Sequence, residues 1–179
     1  MSKTAMFPGV KAGDTFTVAG VEFFRFDEKD GKVAVSTVEP LFYAPIGDCA
    51  DLKQSDILRR LNDEVLPGII AEVGEENVCT FKADLMTLDG LNTYGEIESK
   101  ICLPTLRFYQ DNVETYDLHK TDDWWWLGTA WSAEPHWDSI LFLCVSPSGD
   151  VYSGYYDDRL GGVRPVLIFE SSIFGSLDE

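Results

Sequence analysis

All five tryptophans fall between positions 124 and 137, as Trp124, Trp125, Trp126, Trp131 and Trp137. A second aromatic group, Tyr152, Tyr155 and Tyr156, runs into Asp157, Asp158 and Arg159. Indole and phenol rings offer broad stacking area with one polar atom each, which suits contact with a sugar ring or a protein partner. Tyr-rich stretches interleaved with Ser and Gly adapt to the surface they meet, and residues 151–156 have that composition. Successive strand residues point to opposite faces, so Trp125 is expected to face away from Trp124 and Trp126, with Trp125 and Trp126 taken into the core. The ligand-binding set read from this pattern is Trp131, Trp137, Tyr152, Tyr155, Tyr156 and Arg159.

Bond-making chemistry finds no such concentration. No H-E-x-x-H, G-x-S-x-G or P-loop pattern occurs. Cys49, Cys79, Cys102 and Cys144 contain no C-x-x-C, so a zinc knuckle has no support. Cys144 is near His136 in sequence but lies in the apolar run 140–145, where a thiol stays protonated and inert. His119 and His136 stand in polar contexts and are expected at the surface. Among 31 acidic residues nothing singles out an acid–base pair. The expectation is no catalytic residue and no cofactor. Arg164, before Pro165, is expected to be held structurally by a carboxylate such as Asp56 or Glu64.

The elements that would position these residues follow from pattern. Residues 15–18, 21–26 and 33–38 read as strands, with a polar turn over 27–32. Ile57, Leu58, Leu61, Val65 and Leu66 recur at helical spacing, with Ser55 or Asp51 as cap, and Pro67-Gly68 should end or kink that helix. Asp84 to Gly90 reads as an ordered loop and Thr105 as the cap of a short helix over 106–110. Residues 111–123 read as a surface loop. Strands follow at 140–145, 151–156 and 163–169, and the tail 171–179 is expected to fray. This is an α+β fold: a mixed, mostly antiparallel sheet with the N- and C-terminal strands adjacent and two helices packed on it.

At 179 residues, 45% hydrophobic and 25% charged, the chain fits one globular domain with a core over about 13–170. A net charge of −17 repels phosphate and argues against direct nucleic-acid binding. No apolar run approaches the ~18 residues of a membrane span, and the first residues lack an apolar signal region. The expectation is cytoplasmic synthesis with reduced thiols, with later association with a virion left open.

Three stretches together carry a family resemblance. Ser55-Asp56-Ile57-Leu58-Arg59-Arg60-Leu61-Asn62 resembles a serine followed by a leucine–asparagine helix. Trp125-Trp126-Leu127-Gly128-Thr129 resembles W-W-L-R-[ST]. Gly149, then Gly162-Val163-Arg164-Pro165-Val166-Leu167, resembles a G…G-V-R-P-[AV] ending. In order and spacing, from about Gly20 to Phe169, the chain resembles domain-of-unknown-function family 6273 of gut bacteria and their phages. The resemblance implies a C-type-lectin-like fold, shared with formylglycine-generating-enzyme-like domains and the variable proteins of diversity-generating retroelements, and ligand display on a loop-rich face. The chain departs from the motif at Gly128, where the family has Arg. Glu134-Pro135-His136-Trp137-Asp138 echoes the Glu-Pro-x and Trp-x-Asp calcium motifs of sugar-binding lectins, fused here into one segment. Calcium takes about six to eight oxygens, so Glu134 and Asp138 are calcium candidates only with further ligands, and a plain loop is expected.

The reading that follows is a non-catalytic recognition module, encoded by a phage or prophage, that binds a protein or carbohydrate ligand through aromatic residues. A homo-oligomer stays open, and no membrane partner is expected. The alternatives are an acidic intracellular inhibitor that mimics nucleic acid before a basic enzyme groove, and an enzyme of formylglycine-generating-like fold.

Overall fold

The computed structural model describes residues 4–157 and 161–175, and of Trp137 the backbone alone. In chain order the strands are β1 Thr15–Val18, β2 Val21–Lys29, β3 Lys32–Thr37, β4 Tyr43–Ala44, β5 Phe81–Asp84, β6 Glu96–Ser99, β7 Trp125–Ala130, β8 Leu141–Val145, β9 Val151–Tyr155, β10 Gly161–Gly162 and β11 Val166–Glu170. The α-helical segments are α1 Asp56–Arg60, α2 Leu66–Val73, α3 Leu106–Asp111 and α4 Val113–Asp117.

Two tight turns set up the first three strands. Ala19-Gly20 and Asp30-Gly31 each hold positive φ at both positions (51° and 76°, 53° and 73°), the type I′ geometry whose twist matches flanking strands. Because that turn needs only two residues, β2 runs on to Lys29 instead of ending in the expected polar turn at 27, with a bulge between Arg25 and Glu28. β11 returns antiparallel to β3, Val166 opposite Ser36, which makes a four-stranded sheet in the order β1-β2-β3-β11. The early and late strands of the chain therefore share a sheet. A five-stranded sheet follows the order β4-β10-β7-β8-β9, parallel only between β10 and β7, and β5 and β6 form a separate antiparallel ribbon. The fold is α+β with mostly antiparallel strands, in more than one sheet.

The helical region corrects one expectation. Ser55 caps α1, its Oγ accepting from the Leu58 N–H at 3.1 Å, while Asp51 caps the preceding 3-10 turn. Pro67 does not end the helix. A π-helical turn over Leu61–Val65, with the Leu66 N–H donating to the Leu61 carbonyl, leads into α2, which takes Pro67 in its first turn and ends at Gly74. A first-turn proline forfeits a hydrogen bond the helix does not need there.

Two further expectations are corrected. Residues 113–117 are α4 rather than loop, because Tyr116 is buried against Tyr109, Phe24 and Trp125. The tail does not fray at 171: Ser171–Phe174 form a 3-10 turn, and the Phe174 ring meets Phe16 edge-on at 5.2 Å and Phe7 at a tilt at 5.9 Å.

Alternation along the strands sorts the apolar residues into two cores. Phe23, Val33, Val35, Trp126, Phe142 and Leu167 join Ile57, Leu61 and Ile69 in the first. Phe24, Phe26, Trp125, Leu127, Leu143 and Val145 join Tyr109 and Tyr116 in the second. Trp125 and Trp126 thus face opposite ways and both are sealed, as the strand period requires. Two glycines make room. A side chain at Gly161 would start 2.4 Å from the Trp126 Nε1, the atom that donates to the Ala44 carbonyl at 2.8 Å. At Gly128 a Cβ would stand 3.0 Å from the Leu103 carbonyl, because the chain at 103–104 lies against β7.

Candidate functional site

β9 is the outermost strand of the five-stranded sheet, and it carries the exposed tyrosines. Tyr152 and Tyr155 are each 52% exposed, with Val151 and Ile140 each at 39% beside them. The two tyrosines are three residues apart, so they project from opposite sides of the sheet. Tyr152 stands opposite Cys144, which is opposite Trp126, and its ring meets Trp124 at 5.1 Å edge-on. Tyr155 stands opposite Leu141, whose carbonyl accepts from the Trp131 N–H at 3.0 Å. Trp131 itself is half-buried against the second core.

The residues read from sequence are therefore gathered around one rim but not onto one face. Tyr152 with Trp124 faces one side; Tyr155 lies on the side of Trp131. Tyr156 turns back against the first core, its N–H donating to the Ile140 carbonyl at 3.1 Å. The Trp137 side chain and Arg159 lie outside the described residues. Trp137 opens a 3-10 turn over Trp137–Ile140. Glu134 is exposed and Asp138 half-buried. Among the described residues no three His, Cys, Asp or Glu side chains gather as a metal site.

Loops from elsewhere in the chain meet this rim, and sequence reasoning missed them. Asp89 is the pin. Its Oδ1 accepts from Thr87 Oγ1 at 2.5 Å and its Oδ2 from Ser132 Oγ at 2.6 Å, and these bonds hold its carboxyl below the usual range. The Leu88 N–H donates to the Ala130 carbonyl at 2.9 Å, so the loop after β5 is fixed to the segment carrying Trp131. Tyr94 and Tyr156 both have raised phenol pKa values, through burial first and then through nearby negative groups. Cys49 and Glu134 act on both; Asp51 acts on Tyr94, and Asp157 and Asp48 on Tyr156. No local motif marks Tyr94, Cys49 or Asp48. Their convergence is long-range and leaves no periodicity in the sequence.

No protein-family model, curated protein or solved structure matches the chain.

Two of the four thiols and one of the two histidines are engaged within the fold. Burial pushes the Cys102 thiol up to about 12. Burial and the hydrogen bond from Cys79 Sγ to Glu170 raise Cys79 to about 11. Both stay protonated at neutral pH, where a thiol is a poor nucleophile. His119 is not a surface group, contrary to expectation. It is half-buried, stacked on Phe24 at 4.3 Å with its Nε2 2.7 Å from the Gly13 carbonyl.

Arg164 corrects another expectation. It is 1% exposed, yet Asp56 and Glu64 are both on the surface and do not reach it. Its Nε donates to the Thr37 carbonyl at 3.1 Å, and its Nη2 to those of Val38 (3.0 Å) and His119 (2.9 Å). Carbonyl dipoles and the Trp125 ring replace the carboxylate, and burial lowers the guanidinium to about 10. This arrangement clamps the chain after β3 to the chain after α4. Its role is structural, as expected, by other partners.

Proposed function

We propose that this protein is a non-catalytic recognition module that meets a protein or glycan through the aromatic rim of its five-stranded sheet. One observation carries the reading. Tyr152 and Tyr155 hold half their surface in solvent on a strand whose backbone is locked to β8 over its whole length. A ring that is exposed but carried on a rigid strand loses little freedom when it is covered, and this is the property of an anchor residue. Trp124 and Trp131 stand beside the two tyrosines, half-buried, and extend the apolar area on each side.

The finer architecture, a C-type-lectin-like arrangement, belongs to this reading. It is supported by the union of β3 with β11 and by the gathering of loops 47–51, 87–95 and 131–138 near Tyr156. Among the described residues no helix is long and apolar enough to cross a membrane.

The test is an array of glycans and peptides probed with the wild-type protein and with Tyr152→Ser/Tyr155→Ser. Loss of the array signal from a variant that melts at the wild-type temperature is the expected result. Full retention would overturn the reading.

A further inference from the structure

The outer side of β9 is an open backbone template. In an antiparallel ladder alternate residues turn their N–H and C=O toward the neighbour, and the others turn theirs away. The Tyr156 N–H donates to the Ile140 carbonyl and the Ser146 N–H to the Asp150 carbonyl, at the same register as the Tyr155–Leu141 and Val151–Val145 pairs. The even-numbered residues therefore face β8. Val151, Ser153 and Tyr155 turn their N–H and C=O outward, and no backbone hydrogen bond joins these groups to another described residue.

In the four- and five-stranded sheets the other edges are closed or short among the described residues. β11 is bridged by Val78 and Cys102, α2 packs beside β1 with Gly68 against Ala19, and β4 is two residues long. Protein edges are normally protected by a lysine, a proline or a bulge. Val151-Tyr152-Ser153-Gly154-Tyr155 has none of these, and its register with β8 is unbroken.

We infer that β9 accepts an extended, lysine- or arginine-bearing segment of a partner protein as a sixth antiparallel or parallel strand. The inference rests on the recognition reading and names the partner's chemistry. The choice of a basic occupant comes from charge. The chain carries −17. Exposed Asp150 and Asp157 flank the strand, and Glu134 and Asp48 add their charge near Tyr156. Lys120, which lies near the turn at Gly149 before β9, pairs with Asp117 at 3.9 Å. A second copy of this chain fits poorly. Antiparallel pairing centred on Ser153 would set Asp150 of one copy opposite Tyr156 of the other, and residues 150–157 of a second copy bring no lysine or arginine to meet the flanking carboxylates. An incoming strand would make main-chain bonds to Val151, Ser153 and Tyr155 while its side chains meet Tyr152 on one side and Tyr155 on the other.

The probe is a capped peptide of alternating lysine and valine. Two controls accompany it: the same peptide N-methylated at every backbone amide, and a glutamate–valine version. Amide exchange of the full chain is followed residue by residue. The lysine peptide is expected to slow exchange at Val151, Ser153 and Tyr155 by about tenfold or more, less at higher salt, while the controls leave it unchanged. Ser153→Pro removes an outward N–H without touching the β8 ladder and is expected to abolish the effect. Should that variant not fold, the N-methylated peptide carries the same test. Equal protection by either control overturns the inference, as does protection that rises with protein concentration alone, which would mean a second copy. If β9 is never protected while the tyrosine double variant loses its array signal, the strand inference fails and the recognition reading stands. If β9 is protected and the double variant keeps its signal, the aromatic reading fails and the strand inference stands.

Discussion

The Arg164 guanidinium lies 4.7 Å from the centre of the Trp125 ring, buried and bonded to three main-chain carbonyls. The G-V-R-P segment and the W-W-L segment, well apart in sequence, are thus in contact through one cation and one indole. Removing the cation leaves the carbonyls of Thr37, Val38 and His119 without that partner. Arg164→Met is expected to destabilise the fold by about 3–5 kcal/mol, and Arg164→Lys by somewhat less because an ammonium cannot reproduce the fork. Urea unfolding measures both.

Gly161→Ala places a methyl into the Trp126 indole. Overpacking of this kind costs about 1–3 kcal/mol. Because Trp126 Nε1 donates to the Ala44 carbonyl, displacement of the ring should also change tryptophan emission in the folded protein. An unchanged spectrum and melting temperature would count against the described packing of β10 on β7.

Thiol reactivity should follow burial. Cys49 is half-buried, and Cys79, Cys102 and Cys144 are buried. With a disulfide reagent at neutral to mildly alkaline pH, Cys49 is expected to react first, the others only as the protein opens. Cys79 has a folded pKa near 11, above the ~8.5 of an unfolded thiol. Its protonated form is the one the fold favours. That contribution is complete below the unfolded value and is lost as pH rises toward 11. Cys79→Ser/Cys102→Ser should flatten the alkaline limb of a stability–pH profile.

Asp89 works in the opposite direction. Its folded pKa is depressed by Ser132 and Thr87, so the loop it pins is held at neutral pH and released as acid protonates the carboxylate, through the folded pKa below ~3.9. Amide protection at Leu88 and Asp89 should fall across that acid range in the wild type. In Asp89→Asn it should already be low at neutral pH and change little.

The sequence carried the local parts of this structure well and the long-range parts poorly. The alternation around Trp125 and Trp126 correctly placed the two rings on opposite sides. Ser55 and Thr105 were legible as caps because capping is decided within four residues. The helix through Pro67 was not legible, since a π turn has no composition of its own. Tyr116 hid among acidic neighbours, and only the rings opposite it explain why α4 forms. At the site, Tyr152 and Tyr155 were visible as types, but their separation onto two sides depends on the β8 register. Tyr94 and Cys49 reach the rim through loops that no motif connects.

The central claim is that the β9 rim is the contact surface, and oxidative footprinting of a bound complex tests it most directly. The complex is formed with whichever glycan or peptide the array returns. The account predicts that Tyr152 and Tyr155 are shielded on binding while Tyr43, exposed at the far edge of the same sheet, keeps its reactivity. Shielding confined to an acidic surface away from the rim, such as the 3-10 turn with Glu75 and Glu76, with both β9 tyrosines unchanged, would contradict it and point to recognition through charge alone.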